Sequence, residues 1–372
     1  MDALDITWRS TVMLIAITPM LTSAVMLWFW DVEQAACRYL AVFLLLFCVN
    51  LTPQIIGFSG FYQAFPWLTF APFNFELAFG PLLLLHIKSL TKEPINLQQW
   101  LWLLPAVIFF FYYMIIFLTF PDYRDKWAFN DAFHQPYINP IGTILAIAIN
   151  ISCVWMSWIK VNGYRLLLLN SQSDLDGFDP IWLRQFIFAI VIVLTLWVGF
   201  EIYHIVISEI TYPTQLPFHL AFSLILSWLG LKAITSIRMV YPTITSVDEG
   251  LRYEQDQSTL EELFMKIEMG NQEQEWFKQQ RITISDIARK LHTNESYVSR
   301  SINVFAKQNF NQYINNARVQ YAIKKIKEGS VRNLLDLAME SGFSSKASFN
   351  RCFKTITNKT PSTYSKYRSI DV

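Results

Sequence analysis

Apolar residues in this chain are gathered into runs of roughly 20, the length a helix needs to cross the hydrocarbon core of a bilayer. Seven such runs are read, at Thr11–Trp30, Arg38–Phe58, Trp67–Ile87, Trp100–Phe120, Ile138–Ile159, Leu183–Ser208 and Leu216–Ile237. Trp and Tyr stand near many of their ends, where a ring with an apolar body and a polar edge meets the membrane interface. Beyond them, from about 239 to 270, lies an acidic linker. It holds Asp248, Glu249, Glu254, Asp256, Glu261, Glu262 and Glu268 against Arg252 and Lys266. Within it Ser258-Thr259-Leu260-Glu261 has capping-box spacing, and Leu260, Leu263, Phe264 and Ile267 follow at helical spacing, predicting about three helical turns. That helix reads either as a dimerising, membrane-proximal element or as a surface helix of the segment that follows.

From 271 to 372 the pattern is that of short amphipathic helices. In Asn333–Tyr364, Leu334, Leu335, Leu337, Ala338 and Met339 form an apolar stripe with Asp336 and Glu340 turned outward. Gly342 offers a position where positive φ costs little, and Phe343 follows as an apolar plug. The next segment, Lys346–Lys354, is apolar at Ala347, Phe349, Cys352 and Phe353. Its other face carries Lys346, Ser348, Asn350, Arg351 and Lys354 and no acid. A short helix with one buried face and one basic, hydrogen-bonding face suits the major groove of DNA.

The pattern occurs twice. Ile284-Ser285-Asp286-Ile287-Ala288 answers Leu334-Leu335-Asp336-Leu337-Ala338 at an offset of 50, and Val298, Arg300 and Ile302 answer Phe349, Arg351 and Phe353 at 51. The extra residue is placed in the turn of the second copy. Between the copies Asn311–Glu328 reads as one helix with Tyr313, Ile314, Ala317, Tyr321 and Ile326 inward. Its ~18 residues span roughly 27 Å, comparable to the ~34 Å between successive major-groove faces. Two reading heads on one spacer could then address adjacent turns of DNA.

Charge divides the chain at the same place. Residues 1–270 hold 13 Lys+Arg and 21 Asp+Glu, a net of −8, whereas residues 271–372 hold 17 and 8, a net of +9. The overall +1 therefore hides a basic tail, which suits a nucleic-acid or membrane-surface role. The loop charges orient the spans. With the C-terminus in the cytoplasm, Arg38, Lys88, Lys92, Lys160, Arg165, Arg184, Lys232 and Arg238 lie inside, and only Arg9, Arg124 and Lys126 outside. This favours N-out, C-in. The first ten residues are mildly acidic, unlike a signal peptide, so the first run is read as retained.

Cys37, Cys48, Cys153 and Cys352 have neither metal-site nor disulfide spacing. No Gly-rich phosphate loop, HExxH or GxSxG is present, so the chain is read as a non-enzyme with no cofactor and no metal. Ionisable residues within spans are functional candidates. Glu76, Glu201, His204 and His219 read either as lining a ligand pocket of the membrane domain or as polar pairs between helices, Glu201 and His204 sharing one face of the sixth span. His86 is placed at the inner interface, and Lys232 is read as snorkelling to headgroups.

The tail resembles the arabinose-regulator (AraC) family of bacterial transcription regulators. The residues that carry the resemblance are Asp286-Ile287-Ala288, Ser296-Tyr297-Val298-Ser299-Arg300, Tyr313, Arg318-Val319, Leu337-Ala338, Gly342-Phe343-Ser344, Ser348-Phe349, Arg351, Phe353-Lys354, Thr360-Pro361-Ser362, Tyr364 and Arg368. The run Gly80–Thr91 is similar to seven-span sensors that precede such tails. The resemblance implies a tandem helix-turn-helix whose second helices enter the major groove, with Ser296, Ser299 and Arg300 of the first copy and Lys346, Ser348, Asn350 and Arg351 of the second facing DNA. Lys354, Lys359 and Lys366 suit phosphates, where they add affinity without sequence information. It also implies RNA polymerase as a partner. Two positions depart from the family, Lys307 and Asn358, which stand where glycine is usual after each reading helix. Asn tolerates a left-handed backbone better than Lys, so the first of these turns is expected to be reshaped.

The expected protein is thus all-α, with a seven-helix transmembrane bundle (1–238), an acidic linker (239–270) and a tandem helix-turn-helix DNA-binding domain (271–372). Its expected role is a one-component regulator in the bacterial inner membrane, binding promoter DNA under an unknown signal ligand and compatible with a homodimer. The rival class is a receptor or transporter whose basic tail binds protein partners.

Overall fold

A computed structural model describes residues 7–177, 179–206, 212–237, 240–243, 257–329 and 333–368, with only the backbone at 204–206, 212 and 365–368. Residues 239 and 244–256 of the acidic linker, together with Ser208, Arg238 and the side chains of His204, Lys366 and Arg368, therefore lie outside the described residues. The described residues are helical, with no named strand. They divide into two compact units, residues 1–162 with 180–242 and residues 163–179 with 243–372.

The first unit contains α1 (Trp8–Trp28), α2 (Gln34–Asn50), α3 (Phe79–Leu90), α4 (Leu104–Thr119), the larger part of α5 (Asn139–Ser171), α6 (Ile181–Val206) and α7 (Leu216–Ser236). Outward faces carry large apolar side chains in the open, among them Ile15, Val25, Phe111, Ile115, Leu118, Ile144 and Trp155. Inward faces use small residues that let helices approach. A Cβ on Gly230 of α7 would lie 2.7 Å from the Ser23 Cβ of α1, and Ser227 Oγ donates to the Ala16 carbonyl at 3.0 Å. Small residues at these contacts let the helix backbones approach closely.

By length and apolar composition, six helices among the described residues are able to cross a membrane: Trp8–Trp28, Gln34–Phe58, Leu97–Thr119, Tyr123–Ser171, Ile181–Tyr203 and Pro213–Ser236. The expectation of seven continuous spans is corrected at the third. In Trp67–Ile87 only a short turn at Glu76–Ala78 and the 12 residues of α3 form the helix leading to Leu90. Pro66, Pro72 and Asn74 explain the break, since proline lacks a donor and restricts its neighbour. Nearly all of α3 is buried. Its irregular entry is hydrogen-bonded from other helices: Asn150 of α5 accepts from Gly80 N at 2.7 Å and donates to the Glu76 carbonyl at 2.9 Å. Asn50 of α2 accepts from Phe75 N at 3.0 Å.

The second unit contains α8 (Gln257–Glu273), α9 (Ile284–Lys290), α10 (Glu295–Phe305), α11 (Phe310–Glu328), α12 (Leu334–Glu340), α13 (Lys346–Thr357) and α14 (Pro361–Arg368). Two apolar clusters sit side by side along α11. Ile282, Ile284, Ile287, Val298 and Ile302 join Phe310, Tyr313 and Ile314 at its start. Leu337, Ala338, Phe343, Phe349 and Phe353 join Val319, Ala322 and Ile326 further on. α8 belongs to the first cluster through Ile267, Leu263 and Phe264, and Ser301 Oγ donates to the Leu260 carbonyl at 2.8 Å.

Between the clusters α11 turns polar. Arg318 is wholly buried, donating to the Phe277 carbonyl at 2.8 Å and the Gln279 carbonyl at 2.9 Å. Burial lowers its guanidinium to about 10, so the group stays charged at neutral pH. Residues 172–173, which follow α5, pack here too. Gln172 pairs with Thr283 in an isolated antiparallel bridge, and Ser173 N donates to the Ile282 carbonyl at 3.2 Å. Asn311 Nδ2 donates to the Gln172 and Ser173 carbonyls, both at 3.0 Å. Asn315 Nδ2 donates to the Ser173 carbonyl at 3.0 Å, and Arg318 Nη2 to Ser173 Oγ at 3.3 Å.

Candidate nucleic-acid interface

Each copy of the repeat builds the same turn from different residues. In the second, Asn333 caps α12 by accepting from Leu335 N at 2.9 Å. The helix ends at Gly342, with φ +89°, and Phe343 N closes onto the Ala338 carbonyl at 3.0 Å. Phe343 then buries its ring against Phe349. Glycine is required here on two counts, because a Cβ would also stand 2.6 Å from the Phe277 carbonyl oxygen and 2.7 Å from that of Lys278. In the first copy Thr283 and Asp286 form a reciprocal capping box for α9, and Thr293 N closes onto the Ala288 carbonyl at 2.9 Å. The residue answering Gly342 is His292, also left-handed at φ +51°.

The reading helices begin alike. Asn294 accepts from Tyr297 N at 2.9 Å to start α10, and Ser345 accepts from Ser348 N at 3.1 Å to start α13. The offset is 50 up to Phe343 and 51 from Ser345, so the additional residue of the second turn is Ser344. Each reading helix is followed by a left-handed residue, Lys307 at φ +53° and Asn358 at +58°. The first turn is therefore not reshaped. Lysine takes the same backbone region at a conformational cost that asparagine largely avoids.

The Helix-turn-helix domain family matches residues 287–367. That segment forms an arabinose-regulator-type helix-turn-helix domain. An uncharacterized HTH-type transcriptional regulator of Staphylococcus aureus strain COL is 30% identical over 83 residues, which is 22% of this chain and 11% of the relative. Its counterpart in strain MSSA476 matches at the same identity and coverage. The chain thus spans about a tenth of the length of the curated relatives it matches. No solved structure matches.

On the second reading helix of this domain, Lys346, Asn350, Arg351 and Lys354 are exposed, together with Ala347, which had been placed inward. Ser348, placed on the reading face, is buried at 4% exposure. The inward stripe is Ser348, Phe349, Cys352 and Phe353, so Ser348 sits under the helix start rather than on its open side. On the first reading helix Arg300 is exposed, while Ser296 and Ser299 are half-buried. Lys359 is exposed after α13.

Sequence reasoning missed what lies against this surface. Asp176 Oδ1 accepts from Arg351 Nη2 at 3.1 Å and Asp176 Oδ2 from Ser345 Oγ at 2.5 Å. Asp174 accepts from Ser344 Oγ. Both acids come from the turn that joins α5 to α6. Two acids spaced by one residue in a short connection carry no signal that would have pointed to this.

In the first unit Glu76, Glu201 and His219 line one cavity of about 290 Å³, walled by Phe43, Phe47, Phe79, Trp197, Phe200 and Phe218. His219 Nδ1 is hydrogen-bonded to the Gln215 carbonyl at 2.9 Å. His204 belongs to α6, but its side chain is outside the described residues. His86 is corrected: it is fully buried, with Nδ1 bonded to the Ala36 carbonyl at 2.8 Å and its ring between Trp182 and Phe186. Burial of nearly all of α3 puts His86 among protein neighbours.

Proposed function

We propose that this chain is a membrane-embedded one-component transcription regulator. Its tandem helix-turn-helix domain binds promoter DNA in the cytoplasm, and a signal met in or through the membrane unit controls it. What supports DNA binding above all is α13: a buried stripe under an open face of Lys346, Asn350, Arg351 and Lys354 on a capped helix. Arg351 has the geometry for guanine O6 and N7, and Asn350 for the adenine edge. Lys354 and Lys359 suit phosphate. Net charge of the tail favours the same partner, and RNA polymerase would be met on that DNA.

Membrane embedding is supported by the apolar outer faces of α1, α4, α5 and α6. Trp67–Leu90 then crosses as a discontinuous segment. Irregular backbone is tolerated at membrane depth where protein covers it and hydrogen-bonds it, as Asn150 and Asn50 do here. With that crossing the loop charges favour N-out, C-in. The cavity holding Glu76, Glu201 and His219 is the candidate signal site, to which His204 is added from its place on α6.

The test is selection of bound sequences from a random duplex library by the full chain in lipid nanodiscs. An enriched motif is expected, with affinity falling steeply as salt rises. Asn350→Ala should change the motif, whereas Lys354→Ala should weaken binding without changing it. Absence of any enriched sequence would overturn the proposal.

A further inference from the structure

The turn joining α5 to α6 belongs to the compact unit of the helix-turn-helix domain rather than to the membrane unit. Its sequence, Gln172-Ser173-Asp174-Leu175-Asp176-Gly177-Phe178-Asp179, contains three acids and no base. Its base is fastened by a buried polar network. The Gln172–Thr283 bridge, Asn311, Asn315 and Arg318 all hold residues 172 and 173. Ser173, Asn315 and Arg318 are nearly or wholly inaccessible, and Leu175 is buried beside them.

Its tip is different in kind. Asp174 and Asp176 reach the start of α13 and take the hydroxyls of Ser344 and Ser345. Ser344 is the residue the second turn has beyond the first, and Ser345 is the N-cap of the reading helix. Asp176 also takes Arg351 at 3.1 Å, and both partners stay partly exposed, with side-chain accessibilities of 57% for Arg351 and 27% for Asp176. Carboxylates at a helix N-terminus and on an arginine fork occupy the places that phosphate oxygens or a guanine edge would take.

We propose that this acidic turn is an internal competitor for DNA at the second reading head, an inference that rests on the DNA-binding reading above. While Asp174 and Asp176 hold Ser344, Ser345 and Arg351, α13 cannot offer those groups to a duplex. The Arg351–Asp176 pair is partly exposed, hence weak and screened by salt, so Asp176 can be released while the buried base and the buried Asp174 stay fastened. The turn is also the only stretch of chain between α5 and α6, and α6 carries Glu201 and Trp197 of the cavity. A shift of either helix therefore reaches the turn along the chain itself.

The experiment measures the affinity of the full chain in lipid nanodiscs for its selected DNA sequence at one salt concentration. The doubly neutralised variant Asp174→Asn with Asp176→Asn should bind more tightly by roughly fivefold or more, the low end of coupling between sites in proteins. Asn311→Ala loosens the turn from its other side and should act in the same direction without touching the reading face. In the wild-type chain, hydrogen exchange over residues 172–177 should speed up when DNA is added. Unchanged or weaker DNA binding by both variants, with wild-type exchange over 172–177 indifferent to DNA, overturns the competitor and leaves the DNA-binding reading standing. Failure of wild type and both variants to bind any sequence overturns both.

Discussion

The two helix-turn-helix copies share a backbone and differ in what they do with it. Both have a capped first helix, a left-handed residue at 292 or 342, a capped reading helix and a left-handed residue at 307 or 358. Yet the first reading helix packs against α8 and offers one exposed arginine, Arg300, whereas the second presents Lys346, Asn350, Arg351 and Lys354 and meets an acidic turn. A fold is set by a few buried and backbone-critical positions, and the remaining surface is free to diverge. In the second copy that freedom has been used for chemistry; in the first it has been used for packing.

The largest expected effect tests the backbone side of this comparison. Gly342→Ala should destabilise the second copy by about 3 kcal/mol, since it combines left-handed strain with a close approach to two carbonyl oxygens. His292→Ala should cost less than about 1 kcal/mol, because a side chain is already accommodated there. Hydrogen-exchange protection of α12–α13 against α9–α10 in the full chain measures both, and equal losses would break the asymmetry. Next in size is the reading face. Arg351→Ala should weaken specific DNA binding about tenfold, or roughly 1.4 kcal/mol, and Arg300→Ala only about threefold. A larger effect at Arg300, measured on one selected duplex, would make the first copy the main reader. The smallest effect concerns the turns after the reading helices. Lys307→Gly should stabilise by about 0.5–1 kcal/mol by relieving a left-handed lysine, and Asn358→Gly by only a few tenths. Matching gains in thermal unfolding of the tail would show that lysine and asparagine are equally at ease there.

Much of the tail was legible in advance because its signals are local. The repeat offsets of 50 and 51, the Gly342-Phe343 turn, the inward Phe349 and Phe353, and the outward Arg351 all follow from helical period and from one residue's φ preference. Ser348 and Ala347 show the limit: a twelve-residue helix with few apolar positions leaves its register open by one residue until its neighbours are placed. His292 was hidden for a related reason, since histidine does not announce a left-handed turn as glycine does.

In the first unit the apolar runs were plain, but the state of the third was not. Hydropathy is summed over a window and does not register that Pro66, Pro72 and Asn74 interrupt the helix. Nor does it register that Asn150, some seventy residues away, satisfies the exposed backbone. His86 was misplaced for the same reason, because depth along a run says nothing about which side of a helix faces protein.

The sequence by itself determined the helical class, the apolar runs, the basic tail and the doubled helix-turn-helix motif, since each is written in spacing, composition or charge within a few turns of chain. Only the tertiary structure decided that Arg318 and Asn315 form a buried polar joint. It alone gathered Glu76, Glu201 and His219 around one cavity, and it alone set Asp174 and Asp176 against the start of the second reading helix. Those pairings join residues up to 175 positions apart. Contacts of that kind come from packing whole elements together and leave no periodic trace in the chain.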